Sequence, residues 1–134
     1  MSDKKQTFHI NKEAEKSIGF SQAVRANGVL YVSGTVSSND ALEALEVDNI
    51  AGQYKVIYAK LKRTLEAYGL GFGDVVKENI YTEDLEAFFE TGNAIRMESY
   101  AGLDYYPSAT AVEASRIAFE GNLVEIDLIA VFPN

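Results

Sequence analysis

A chain of 134 residues, 47% hydrophobic and 24% charged, suits one domain that buries a core without metals or disulfides. Its net charge of −8 weighs against a nucleic-acid binder, which needs a basic stripe to neutralise phosphates. The absence of cysteine excludes a thiol nucleophile, a disulfide framework and a cysteine-based metal site. No run of about 20 apolar residues occurs, so no membrane span is expected. The start, MSDKKQTFHINKEAEK, has lysines but no apolar stretch behind them, unlike a secretory leader. A cytoplasmic protein is the expectation.

In chain order, SQAVRANGVLYV predicts a hairpin over residues 21–32, with Asn27-Gly28 supplying the positive φ angles of a type I′ turn. Ser33-Gly34 marks a bend or a close backbone approach as the chain leaves the second strand. Residues 37–48 read as a polar loop with partial helix. Ile50, Tyr54, Ile57, Tyr58, Leu61, Leu65 and Tyr68 then recur at three- and four-residue steps, which is one helical stripe. Gly69 ends that helix where a left-handed residue is favoured. DVVKENIYT predicts a strand. A second helix starts near Thr82 or Asp84, either of which can cap it, and carries Leu85, Phe88, Phe89 and Ile95. A loop leads into a strand over residues 109–115, and a last strand spans residues 123–132. The order is β-β-α-β-α-β-β, an α+β single domain over residues 1–134. Two helices can cover one face of the sheet, and the apolar side chains on the other face point to another subunit as its cover.

The last strand, LVEIDLIAVF, poses a question. Alternation puts Val124, Ile126, Leu128, Ala130 and Phe132 on one wholly apolar face. The other face carries Leu123, Glu125, Asp127, Ile129 and Val131, too apolar for a plain solvent face and too acidic for a core. Glu113 adds a third carboxylate on the preceding strand. Such groups in a partly buried cleft can act as a general base or orient a water. The plainer alternative pairs them with Arg25, Arg116 or a lysine across a subunit contact.

Other motifs carry less. GLGFG, residues 69–73, follows a helix and opens a strand, the reverse of a dinucleotide loop. His9 is the only histidine and reads as a surface or strand-edge residue, so neither a metal site nor a Ser-His relay is expected. KLKR, residues 60–63, reads as the solvated face of the first helix. No cofactor is expected.

Four ordered motifs resemble the Rid family, also called YjgF. FSQAVRANGVLYVSGTV is similar to its N-terminal signature. LKRTLEAYGLGFGDVVKENIYTEDLEAF is similar to its central segment, and PSATAVEAS and LVEIDLIAV to its two C-terminal ones. The resemblance runs over residues 18–131. It implies a chorismate mutase-like trimeric barrel, a homotrimer with small-molecule clefts between subunits. It also implies hydrolysis of imines or enamines to a carbonyl compound and ammonia.

Carried over residue by residue, the resemblance implies that Glu125 positions the attacking water. Phe20, Ser33, Gly34, Asn93, Tyr105, Tyr106, Ala109, Thr110 and Ala111 then line the ligand site. Ser33 and the backbone near Thr110 would hold the substrate, and Phe20 with Tyr105 or Tyr106 would wall it. The chain departs from the family at Ala109, where the deaminases carry an arginine that forks onto the substrate carboxylate. It departs again at Phe20, a tyrosine there, and at Ala111, a cysteine or threonine there. Three function classes follow: an imine or enamine hydrolase with altered carboxylate recognition, a trimer that binds a metabolite or partner without turnover, and a ribonuclease or translation inhibitor. Charge and the single histidine count against the third.

Overall fold

The computed structural model describes residues 5–134; the first four residues of the N-terminal stretch weighed above against a secretory leader lie outside the described residues. Its elements are β1 (Gln6–Phe8), α1 (Lys12–Ile18), β2 (Ala23–Ala26), β3 (Val29–Val36), α2 (Ile50–Glu66) and β4 (Val75–Thr82). They are followed by α3 (Leu85–Ala87), a π-helical turn (Phe88–Gly92), α4 (Asn93–Ser99), β5 (Ser108–Glu113) and β6 (Val124–Val131). The six strands form one sheet in the order β1-β2-β3-β6-β4-β5. All neighbours are antiparallel except β4 and β5, which are parallel. This is the expected mixed α+β sheet, with β1 and α1 added at the N-terminus. Three residues of strand and seven of helix are too short to leave a periodic signature.

The hairpin turns at Asn27 (φ 51°) and Gly28 (φ 76°), both left-handed as a type I′ turn requires. β3 runs on past Val32 to Val36, and the bend expected at Ser33-Gly34 is a β-bulge. Val32 pairs with Leu128 and Thr35 with Ile126, so β3 carries one residue more than β6 between those pairs. Residues 37–48 hold no helix; one bridge, Ser38 to Ala44, closes that loop.

α2 buries the predicted stripe. Tyr54, Ile57, Tyr58, Leu61 and Leu65 are buried against Leu30, Val124, Ile126 and Leu128 of the sheet. Each such aliphatic side chain contributes about 1.5–3 kcal/mol of burial. Asn49 caps α2 through Gly52 N–H, and Gly69, at φ 71°, ends it. Asp84, not Thr82, is the N-cap of α3, accepting from Ala87 N–H at 3.0 Å. The π-helical turn shifts the phase of that helix, burying Phe88 and turning Phe89 outward. Gly92 is required there, because a Cβ would overlap the ring of Tyr54.

Among the described residues, nothing covers the far side of the sheet. Tyr31, Val76, Val112 and Val131 are exposed there, beside half-buried Glu125, Asp127 and Ile129. Val124, Ile126, Leu128 and Ala130 are all buried, so β6 divides into the two faces read from its alternation.

Candidate active site

The β2–β3 pairing stops at Ala23 and Val32, so β3 from Ser33 onward has no strand on that side. The turn after α1 and loops from elsewhere close around this free edge. They form a cleft of about 540 Å³ lined by Phe20, Ser33, Gly34, Lys60, Phe119 and Glu125, among others. Four of the residues expected from the sequence, Phe20, Ser33, Gly34 and Glu125, therefore meet in one place.

The bulge sets their geometry. Ser33 Oγ donates to Ser21 O at 2.6 Å, and Ser33 N–H to Gln22 O at 2.9 Å. Gly34 lies under the Glu125 carboxyl, and a Cβ at that position would overlap Oε2. Only glycine leaves that space, which is the close approach foreseen for Ser33-Gly34. Burial, with the charge of Asp127 as a smaller cause, holds the Glu125 carboxyl above the usual carboxylate range. No ion pair joins it among the described residues. Glu125 also borders a smaller cavity of about 260 Å³, with Tyr81, Arg116 and Asp127. Asp127 differs: it accepts from Asn79 Nδ2 at 2.8 Å. Within the chain, Arg25 stacks over the Phe132 ring at 3.7 Å.

Glu113 belongs elsewhere. It stands opposite Thr82, on the helix side of the sheet, and accepts from Leu85 N–H at 3.1 Å. It fixes the start of α3 and shares no face with Glu125.

The remaining expected residues are not brought to this cleft by a single chain. β5 is three strands from β3, about 14 Å at the usual strand spacing. Ala109, Thr110 and Ala111 travel with it; Thr110 Oγ1 accepts from Lys77 Nζ at 3.1 Å, and Ala111 packs on the core. Asn93 Oδ1 accepts from Arg96 Nη1 at 3.2 Å. Tyr105 OH donates to Gly73 O at 2.5 Å, and Tyr106 meets Tyr100 edge-on.

Two groups escaped the sequence reading. Lys60 lines the cleft from α2, its Nζ donating to Val36 O at 2.9 Å and Ser38 Oγ at 2.8 Å. Its place three residues after Ile57 and four before Thr64 put it at the margin of the apolar stripe. That was the available signal. Glu15, 2% exposed, is the second. Its carboxylate accepts from Ile10, Asn11 and Gln22 N–H at 2.8–2.9 Å and meets His9 Nδ1 at 2.8 Å. His9, one residue past edge strand β1, is half-buried against Glu15, and the turn carrying Phe20 is held from within.

The profile of the Endoribonuclease L-PSP family matches residues 11–132. A RutC family protein of Pyrococcus horikoshii is 30% identical over 90% of this chain and 94% of its own. The crystal structure of YyfA from Yersinia pestis, a Rid family protein of unknown function, superposes with a TM-score of 0.83 at 29% identity, covering 96% of this chain and 99% of that one. A member of the YjgF/YER057c/UK114 family from Mycobacterium tuberculosis gives 0.80 at 26% identity, with the same coverage. Among the described residues, no helix is long and apolar enough to cross a membrane.

Proposed function

Because the chain belongs to the Endoribonuclease L-PSP family, the group of YjgF, Rid and RutC proteins, we propose that it is a homotrimer that adds water to a small imine or enamine. The products are a carbonyl compound and ammonia. The observation that carries this reading is the Glu125 carboxyl: unpaired, half-buried, held above its usual range and lying over Gly34 at the cleft.

An imine carbon is already electrophilic, so the protein has to orient a water and relay two protons in turn. Glu125 accepts a proton from the water as its oxygen bonds to the imine carbon, and returns it to the nitrogen to give the carbinolamine; an enamine enters as its imine tautomer. Glu125 then carries the new hydroxyl's proton to the nitrogen as the C–N bond breaks, leaving the carbonyl compound and ammonia. A carboxyl held above its ordinary range suits this exchange, since it takes up a proton more readily than an ordinary carboxylate does. Phe20 and Phe119 keep bulk water from the reacting carbon.

The exposed apolar side chains Tyr31, Val76, Val112 and Val131 support assembly through the uncovered sheet face. In a trimer, β5 of one subunit would lie near a neighbour's cleft. Thr110, Asn93, Tyr105 and Tyr106 would then act on a site whose Glu125 belongs to the next subunit. A purely binding trimer is the second reading, favoured by Ala109, whose side chain offers nothing to a carboxylate.

The test is ammonia release from imines generated with an amino-acid oxidase, with semicarbazide trapping what remains, across small, aromatic and uncharged side chains. Acceleration that disappears in Glu125→Ala while the trimer persists supports the hydrolase. A flat panel with an intact trimer transfers the assignment to binding.

A further inference from the structure

Two charged side chains line the cleft, Glu125 and Lys60, and water addition uses only the first. Lys60 is not a swinging surface lysine. Its bonds to Val36 O and Ser38 Oγ fix the head at the end of β3, and an ammonium has three donors. One N–H is left over; Lys60 borders both this cleft, whose other walls include Phe20, Leu42 and Phe119, and a neighbouring cavity that holds Asp40. Three of the protein's arginines are already engaged. Arg25 stacks on Phe132, Arg63 pairs with Asp40 at 3.1 Å, and Arg96 pairs with Glu78 at 2.6 Å. None of the three lines the cleft.

We propose that Lys60 is the anion-holding group of this cleft, and that its ligands are small organic acids with an apolar body. The acid group takes the free N–H of Nζ, and the apolar part lies against Phe20, Leu42 and Phe119. This rests on the reading of the cleft as the reaction site, and it names the end of the substrate that Glu125 does not touch. Glu125 stands opposite Val36 in the β3–β6 ladder, and its carboxyl reaches back over Gly34.

The electrostatics agree. Burial brings the Lys60 ammonium down to about 8, partly offset by the charges of Asp40 and Glu15, with Arg63 pushing the same way as burial. The ammonium persists at neutral pH but has lost much of its water, so an anion reaching it displaces little hydration.

Calorimetric titration of the wild-type protein with phenylacetate and with phenylacetamide tests this directly. The two differ in charge and little else. At pH 7 the acid is expected to bind about ten- to a hundredfold more tightly, as for a hydrogen bond to a charged group. That preference should vanish in Lys60→Met and shrink in the wild type as pH passes 8. Equal binding of acid and amide, failure of the acid to bind, or a preference that survives Lys60→Met would each overturn the proposal and leave Lys60 a strut between α2 and β3. If Lys60→Met does not fold, the wild-type comparison and its pH profile decide alone. Binding is read here without turnover. A protein that releases no ammonia yet prefers the acid refutes the hydrolase reading only, and one that hydrolyses imines without that preference refutes only the role of Lys60.

Discussion

The carboxyl of Glu125, on β6, rests on the bare Cα of Gly34, on β3, in the space a Cβ at residue 34 would take. Gly34→Ala therefore acts on Glu125 without touching it chemically. The displaced group is the far end of a flexible side chain, so the fold should tolerate the methyl. Turnover, which needs the carboxyl in place, should fall about 10²-fold, as small misplacements of a catalytic group do. Comparing kcat/KM with the melting temperature separates the two effects. Full turnover in this variant would show that the position of the carboxyl does not matter.

Glu125→Gln should stabilise the protein at neutral pH. The folded-state carboxyl is held up first by burial and then by Asp127, so the native protein resists its ionisation more than the unfolded chain does. The sign follows: the wild type loses stability as pH rises through the carboxylate range, whereas a glutamine cannot. Denaturation curves at pH 4 and pH 7 should show the gap between variant and wild type opening only at the higher pH. Turnover should drop about 10²–10⁴-fold, the usual contribution of a general acid–base group.

Arg96 and Glu78 form a buried pair at 2.6 Å, with Tyr58 OH donating to the same carboxylate at 2.6 Å and Tyr100 OH at 3.3 Å. Glu78 is wholly buried, so Arg96→Met strands a negative charge under α4. A loss of about 3–5 kcal/mol is expected, read as a fall in denaturation midpoint with unchanged slope. Replacing Glu78 as well, by Leu or Met, should recover part of that loss. No recovery would mean that Arg96 acts through its packing on Tyr100 instead.

Alkaline solution should unfold the protein through its buried tyrosines. Burial pushes Tyr54 up to about 12 and moves Tyr58 and Tyr100 in the same direction, with Glu78 adding to both of the latter. The unfolded chain releases these protons near pH 10, so stability holds below that pH and falls above it. Tyr58→Phe should weaken this dependence. It should also cost about 1 kcal/mol or more at pH 7, where Glu78 loses a donor. The measurement is stability at pH 7, 9 and 11.

Strong periodicity made the centre of the fold legible: the α2 stripe, the two faces of β6 and the Asn27-Gly28 turn each write one local rule in several residues. Asn11-led α1 and three-residue β1 do not, because their positions depend on a carboxylate, Glu15, whose partners are mostly backbone amides that any residue supplies. The buried Glu78 looked like an ordinary strand charge, since alternation says which face it joins but not that Arg96 waits there. For the cleft, Phe20, Ser33 and Gly34 came from the family resemblance and Glu125 also from strand alternation, and one bulge gathers them. Lys60 was hidden by its neighbours Lys62 and Arg63, which do face solvent and made the run look uniform. Ala109, Thr110 and Ala111 are set apart by sheet order, which no local pattern encodes.

Glu15 makes one wall of the cleft a tenant of the chain's first dozen residues. The segment bearing Phe20 is held through Gln22 N–H by the same carboxylate that gathers Ile10, Asn11 and His9, while β1 contributes only three residues of ladder. Local opening of this arm costs far less than melting the sheet. A protease that nicks near residue 10, or a bulky tag fused ahead of it, would therefore loosen the ligand site in a protein that still passes every test of being folded.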